Sequence, residues 1–158
     1  MKYRDLCEFV METEGDVESV VSAVRLEFPS VDFVGHGVNR VVFQFDSTSV
    51  VKLPIDESDM MYNQMELYNY ISLVETRFES WVAPINRSFS AEDGSFIVMD
   101  VVDISVNCEQ EVVANLSQAF EVVENGLDNF GRHSALGSVA VDYTECIAEQ
   151  YRCRDYPV

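Results

Sequence analysis

The sequence predicts an α+β domain: a five-stranded antiparallel sheet with one long helix, followed by a reduced, mostly helical C-terminal part. Three observations predict it. Apolar residues alternate with period two over residues 31–55 and again over 81–102, the signature of half-buried strands. A helical period separates these two stretches, over 58–76. From residue 109 the period is helical again, broken by a Gly- and Asn-rich loop and one short strand.

Taken in order, the first thirty residues read as two helices. Tyr3, Leu6, Phe9 and Val10 share one face; Asp16 is placed to cap a second helix, whose stripe is Val17, Val20, Val21 and Val24, and Pro29 ends it. The segments DFVG, VNRVVFQF and TSVVKLPI then form a three-stranded ribbon, the last two separated by Asp46, Ser47 and Thr48. Ser58 is the expected cap of the long helix, with Met61, Met65, Tyr68 and Ile71 as its apolar face. Residues 81–88 and 95–102 are expected as two further strands joined by a turn at Ala91-Glu92-Asp93-Gly94. A helix over 109–123, a strand over 138–141 and a last helix to about Arg152 complete the order. One domain over 1–158 is expected, divided into 1–30, 31–103 and 104–158.

The 158 residues, 47% of them apolar, suffice for one sizeable core. No stretch approaches the roughly eighteen apolar residues of a membrane helix, and the acidic, amphipathic start MKYRDLCEFVMETEGD reads as neither a signal nor a transit peptide, so a soluble, cytoplasmic protein is expected. Cys7, Cys108, Cys146 and Cys153 have no paired spacing and read as reduced thiols. Twenty-eight acidic residues against ten basic ones give a net charge of -18, which disfavours direct binding to nucleic acid or an anionic membrane. Two explanations of that charge stay open: a surface suited to high salt, or one that occupies a basic groove on a partner protein.

Residues capable of chemistry cluster in the predicted ribbon. Gly35-His36-Gly37 lies in a glycine-bearing turn between two strands, where a backbone without side chains lets phosphates approach. Lys52 is a charge inside the apolar run Val50-Val51-Lys52-Leu53-Pro54 and needs solvent or a partner; Glu66, on the next helix, is a candidate. His36 and His133 stand beside no nucleophile or ligand pattern that would make a hydrolase or zinc site.

With these elements in this order, the chain resembles the protein-kinase-like superfamily: GHGVNRVVF is similar to its glycine-rich loop, VVKLP to its lysine strand, QMELY to the glutamate of its helix C, and SFIVMDVVD to the strand entering its hinge. The resemblance covers roughly residues 31–103 and implies a kinase N-lobe-like sheet with a helix-C-like helix. It implies that Gly35, His36, Gly37, Lys52 and Glu66 serve the phosphates of ATP, that Met99 is the gatekeeper, and that the backbone from Asp100 to Val102 meets the adenine. In the second half, Asn129 and Asp142 stand thirteen residues apart, the family interval between its two Mg²⁺ ligands.

The departures narrow what the resemblance implies. Glu124 occupies the position of the catalytic aspartate, with Asp128 as a substitute, and Val122 and Val123 replace the histidine and arginine before it. After Asp142 stand Tyr143 and Thr144 rather than Phe-Gly, and sixteen residues follow Asp142. A kinase of peptide substrates is not expected. Two function classes stay open: a minimal ATP/Mg²⁺-binding protein, whether phosphotransferase or pseudokinase, and a non-catalytic acidic inhibitor of viral or phage type that covers a basic surface of a partner.

Overall fold

The computed structural model describes residues 2–117 and 130–143. They divide between two compact units, one comprising Met1–Gln64 with Ile85–Val101 and the other Met65–Pro84 with Val102–Val158.

The first unit opens with helices α1 (Tyr3–Glu12) and α2 (Val17–Glu27), and the expected cap is present: the Asp16 carboxylate accepts the Ser19 N–H at 2.9 Å. Strands β1 (Asp32–His36), β2 (Arg40–Gln44) and β3 (Ser49–Pro54) follow, and β4 (Ile97–Asp100) completes an antiparallel sheet in the order β1-β2-β3-β4. The register sets Lys52 opposite Val42 on one side and Ile97 on the other. Alternation then sorts the faces. Val41, Phe43, Val51, Leu53 and Val98 join Leu6, Val10, Val21 and Val24 in one apolar core, so the helices cover that face. Val42, Val50, Lys52, Ile97 and Met99, at the intervening positions, belong to the other face.

The sheet has four strands, not the five expected. Residues 81–88 are not a strand: a 3₁₀ turn occupies Glu79–Trp81, and beyond it only isolated bridges form, Val82 to Ala140 in the second unit and Ile85 to Met99 in the first. Pro84 stands between those bridges, and with no N–H it cannot continue a ladder. The turn at 91–94 is present, the Gly94 N–H donating to the Ala91 carbonyl at 3.1 Å, but with no strand over 81–88 it joins no hairpin. Gly94 takes a φ of +82°, and a Cβ there would come within 2.3 Å of the Met60 carbonyl, so conformation and space both require glycine.

The long helix α3 (Met60–Leu73) departs most from expectation. The capping side chain ahead of it is Asp56, not Ser58, and it caps the preceding 3₁₀ turn Glu57–Asp59: the Asp56 carboxylate accepts the N–H groups of Ser58 at 2.8 Å and Asp59 at 3.3 Å. Of the expected apolar face, Met61 is 51% and Tyr68 47% exposed and Met65 and Ile71 are half-buried, while Asn63, Glu66, Leu67, Asn69, Tyr70 and Leu73 are buried. Hydrogen bonding accounts for the inversion at the first turn: Asn63 Nδ2 donates to the carbonyls of Lys52 at 3.2 Å and Gly94 at 3.0 Å, fastening α3 to β3 and to the turn before β4.

In the second unit, α4 (Glu109–Leu116) begins where expected, and β5 (Phe130–His133) pairs with β6 (Gly137–Ala140). β5 is an addition to the expected order. It also meets residue 103 through reciprocal 3.0 Å backbone bonds between Asp103 and Arg132. Gly131 permits that approach, since a Cβ there would lie 2.7 Å from the Asp103 carbonyl oxygen. The remainder of the helix expected over 109–123 and the last helix to Arg152 lie outside the described residues. Among the described residues, no helix is long and apolar enough to cross a membrane.

Candidate functional site

The first unit gathers the glycine-bearing turn, Lys52 and Met99 on one sheet. The β1–β2 turn closes with the Gly37 N–H on the Arg40 carbonyl at 2.9 Å, and a register shift between Phe33 and Gly35 bulges the strand just before it. Neither Gly35 nor Gly37 adopts a positive φ, and a Cβ on either would meet nothing within 4 Å. Within the chain itself, then, neither conformation nor packing requires these two glycines, and the space above their backbone is open. His36 is exposed at this turn, its Nδ1 3.1 Å from the Gly37 carbonyl oxygen and its ring against Phe33.

On the interior strand β3, Lys52 is 4% exposed although it carries a charge. Burying an ammonium is costly unless other groups compensate it, and Lys52 has interacting partners within the protein. It lies on the sheet face away from the α1/α2 core, with Asn63 bonded to its own carbonyl. Met99, 0% exposed, is diagonal to it on the same face. Asp100 ends β4 opposite Ser49, and the next N–H, of Val101, donates to the Thr48 carbonyl at 3.0 Å. That donor is therefore committed within the sheet.

The second unit brings Glu66 and Asp142 into one neighbourhood. Glu66 is 0% exposed, and its Oε1 accepts the Tyr143 N–H at 3.3 Å, one residue beyond Asp142. One helical turn on, Asn69 Nδ2 donates to the Tyr143 carbonyl at 2.9 Å. Asp142 itself is partly buried, and Val102 lies by the β5 backbone, where a Cβ on Gly131 would strike its Cγ1. Glu124, Asp128 and Asn129 lie outside the described residues.

Other candidates resolve into structural roles. The Nδ1 of His133, 8% exposed, accepts the amides of Ala135 at 3.2 Å and Leu136 at 3.1 Å, closing the β5–β6 turn. Cys7 and Cys108 are free and buried; burial pushes the Cys7 thiol pKa up and makes it a poor nucleophile. Among the described residues, no group of three or more His, Cys, Asp or Glu is placed to hold a metal ion. Asp142 is a hard oxygen donor of the kind Mg²⁺ takes.

Apolar patterning does not single out Asn63 and Asn69. A signal is nevertheless present: Asn63, Glu66 and Asn69 follow one another at i, i+3 and i+6, a polar stripe on a helix whose buried side would ordinarily be apolar.

No family model matches the chain, and no curated protein matches it. Among solved structures it is similar to the streptomycin–ATP–APH(2″)-IIa ternary complex, at 16% identity over 58% of this chain and 30% of that one, with a TM-score of 0.39. It is likewise similar to the ADP-bound aminoglycoside phosphotransferase APH(2″)-Ib, at 16% identity over 56% of this chain and 29% of that one, also with a TM-score of 0.39. The chain thus spans less than a third of the length of either.

Proposed function

We propose that this chain is a minimal kinase-like protein that binds an adenine nucleotide with Mg²⁺. One observation carries the reading: a nearly buried lysine, Lys52, stands on the interior strand β3, on the sheet face away from the apolar core and on the same sheet as a turn whose two glycines have open space above them. A lysine ammonium on the sheet face that also carries Val42, Val50, Ile97 and Met99 is apt as a phosphate ligand. In this reading the open backbone at Gly35 and Gly37 admits the phosphates, with His36 beside them, and Lys52 neutralises their charge. Met99 and Asp100, on the same sheet, meet the base; for Glu66, Val102, Asp142 and Asn129 the roles in orientation, base contact and metal binding are those the resemblance implies. Mg²⁺ would shield the phosphate charge and fix its geometry. Whether the phosphate is transferred turns on Glu124 and Asp128 at the position of the base.

Calorimetric titration with ADP and ATP, with and without Mg²⁺, tests the proposal, and Lys52→Met is the decisive variant. Because Lys52 has interacting partners in the structure, the variant is expected to lose stability, by up to about 3–5 kcal/mol, and chemical denaturation must show it folded before binding is compared. Nucleotide affinity should fall at least tenfold. Wild-type protein that shows no binding at millimolar nucleotide sinks the reading.

The second reading, an acidic inhibitor that covers a basic surface of a partner, draws on the net charge of -18 and gives Lys52 no role. It gains ground if Lys52→Met leaves the biological effect intact while reversing a cluster of acidic residues removes it.

A further inference from the structure

The sheet face opposite Lys52 carries a small apolar dimple. Val10 of α1, Val17 and Val20 of α2, Val41 of β2 and Ile55 just beyond β3 line it, all within the first unit, and it encloses about 30 Å³. Small-molecule pockets hold roughly 300–1,000 Å³, so this one has room for the end of a single aliphatic side chain. Its walls reach solvent: Ile55 is 37% exposed, and Val17 and Val20 are half-buried. Val38, 90% exposed, is close in the chain to the same place, since the next residue, Asn39, accepts the Ile55 N–H at 3.0 Å through its carbonyl.

The dimple is preformed. One wall is the turn between α1 and α2, and three hydrogen bonds close it. The Thr13 N–H donates to the Val10 carbonyl at 3.2 Å, the Thr13 hydroxyl to the Phe9 carbonyl at 2.7 Å, and the Ser19 N–H to the Asp16 carboxylate at 2.9 Å. Gly15, at a φ of +130°, leaves no place for a side chain, because a Cβ there would lie 2.9 Å from that of Ser19. An incoming side chain therefore meets walls whose ordering cost was met on folding.

Charge of one sign surrounds it. Glu12, Glu14, Asp16 and Glu18 are exposed and alternate along the chain with Thr13, Gly15 and Val17, which line the dimple. Asp56 and Glu57, also exposed, follow Ile55. Neither residues 11–24 nor residues 53–64 include a Lys or Arg. An apolar centre with a charged rim is the anatomy of a protein interface, and the sign of the rim selects the partner. A second copy would set acid against acid, and a nucleic acid would be repelled in the same way.

We propose that this dimple and its acidic rim dock a basic segment of a partner protein, whose aliphatic side chain enters between the α1–α2 turn and Ile55 while flanking Lys or Arg residues meet the carboxylates. The inference rests on the second reading above, that the charge serves a partner, and gives that reading a place on the surface. It is independent of nucleotide binding, which uses the other face of the sheet.

The test titrates two blocked pentapeptides into the isotope-labelled full chain, followed by amide chemical shifts. One peptide has a leucine with two lysines on each side; the other has serine in its place. The leucine peptide should shift residues 13–20 and Ile55 saturably and bind about tenfold more tightly than the serine peptide. Both affinities should fall between about 50 and about 500 mM salt. Ile55→Ala should erase the preference for leucine and keep the affinity for the serine peptide, whereas Glu14→Lys with Glu18→Lys should weaken both peptides. Equal binding of the two peptides by wild type, or binding of neither, overturns the inference. Shifts that saturate at another acidic surface overturn it too, and leave the second reading standing. A concentration-dependent dimer that protects residues 13–20 without peptide, seen by sedimentation and hydrogen exchange, makes a second copy the occupant and likewise overturns it.

Discussion

Helices α1 and α3 carry comparable apolar stripes in sequence and use them in opposite ways. In α1, Leu6 and Val10 are buried against the sheet, as their spacing predicts, and Cys7 is buried with them. In α3, Met61 and Tyr68 face outward, and Asn63, Glu66 and Asn69 are buried with Leu67 and Leu73. Apolar spacing ranks faces by transfer free energy alone. Where hydrogen-bond acceptors and donors from distant segments converge, satisfied polar side chains compete for the interior, and an unsatisfied one would cost about 1–3 kcal/mol. A helix whose buried side is polar at three successive turn positions is being used for its polar groups.

Leu6→Ala should give the largest loss, about 2–5 kcal/mol from lost burial and an unfilled cavity, measured by chemical denaturation. Asn63→Leu should cost about 2–4 kcal/mol despite being more apolar, because the Lys52 and Gly94 carbonyls lose their donor and Arg40, whose guanidinium lies 3.4 Å from Asn63 Oδ1, loses an acceptor. A stabilising Asn63→Leu would break the comparison, since it would mean that the polar face is tolerated rather than used.

A smaller effect is expected from pH. Asp16, Asp56, Asp93 and Asp103 have carboxyl pKa values held below the ordinary range, first by the hydroxyls of Ser19, Ser58, Ser95 and Ser105 and also by the amides of those serines. A depressed folded-state pKa contributes stability above the unfolded value of about 3.9 and loses it as the pH falls through the folded pKa. Partial neutralisation of a chain of net charge -18 works the other way by relieving self-repulsion. The melting temperature should therefore hold or rise on acidification from neutrality to about pH 5, then fall below about pH 4. A monotonic fall from neutrality would show that charge repulsion contributes little.

The smallest effect belongs to the outward face of α3. Met61→Lys should change stability by no more than about 0.5 kcal/mol. A loss of 2 kcal/mol or more, on the order of a buried-residue effect, would restore the apolar-face reading of the helix.

Much of the first unit is legible in the sequence. Its three-stranded ribbon, the Asp16 cap and the placement of Lys52 among apolar neighbours all follow from alternation and capping over short spans. The candidate site is legible in part. The glycine-bearing turn and Lys52 stand out because each breaks a local pattern, whereas Asn69 stays hidden because its partner, Tyr143, is 74 residues away. Residues 81–88 mislead for a related reason: their alternation is real, but Pro84 interrupts the ladder and their bridges lead to different partners.

What the sequence by itself determined, then, is the set of local conformations and the oddity of a lysine in a buried strand, because both depend on neighbours a few residues apart. Tertiary structure alone decided which face of α3 is buried, where β5 pairs and how Asp142 is held. Those outcomes depend on hydrogen bonds between the helix and the distant groups of Gly94 and Tyr143, and on the space Gly131 leaves for the Asp103 backbone, which no local pattern encodes.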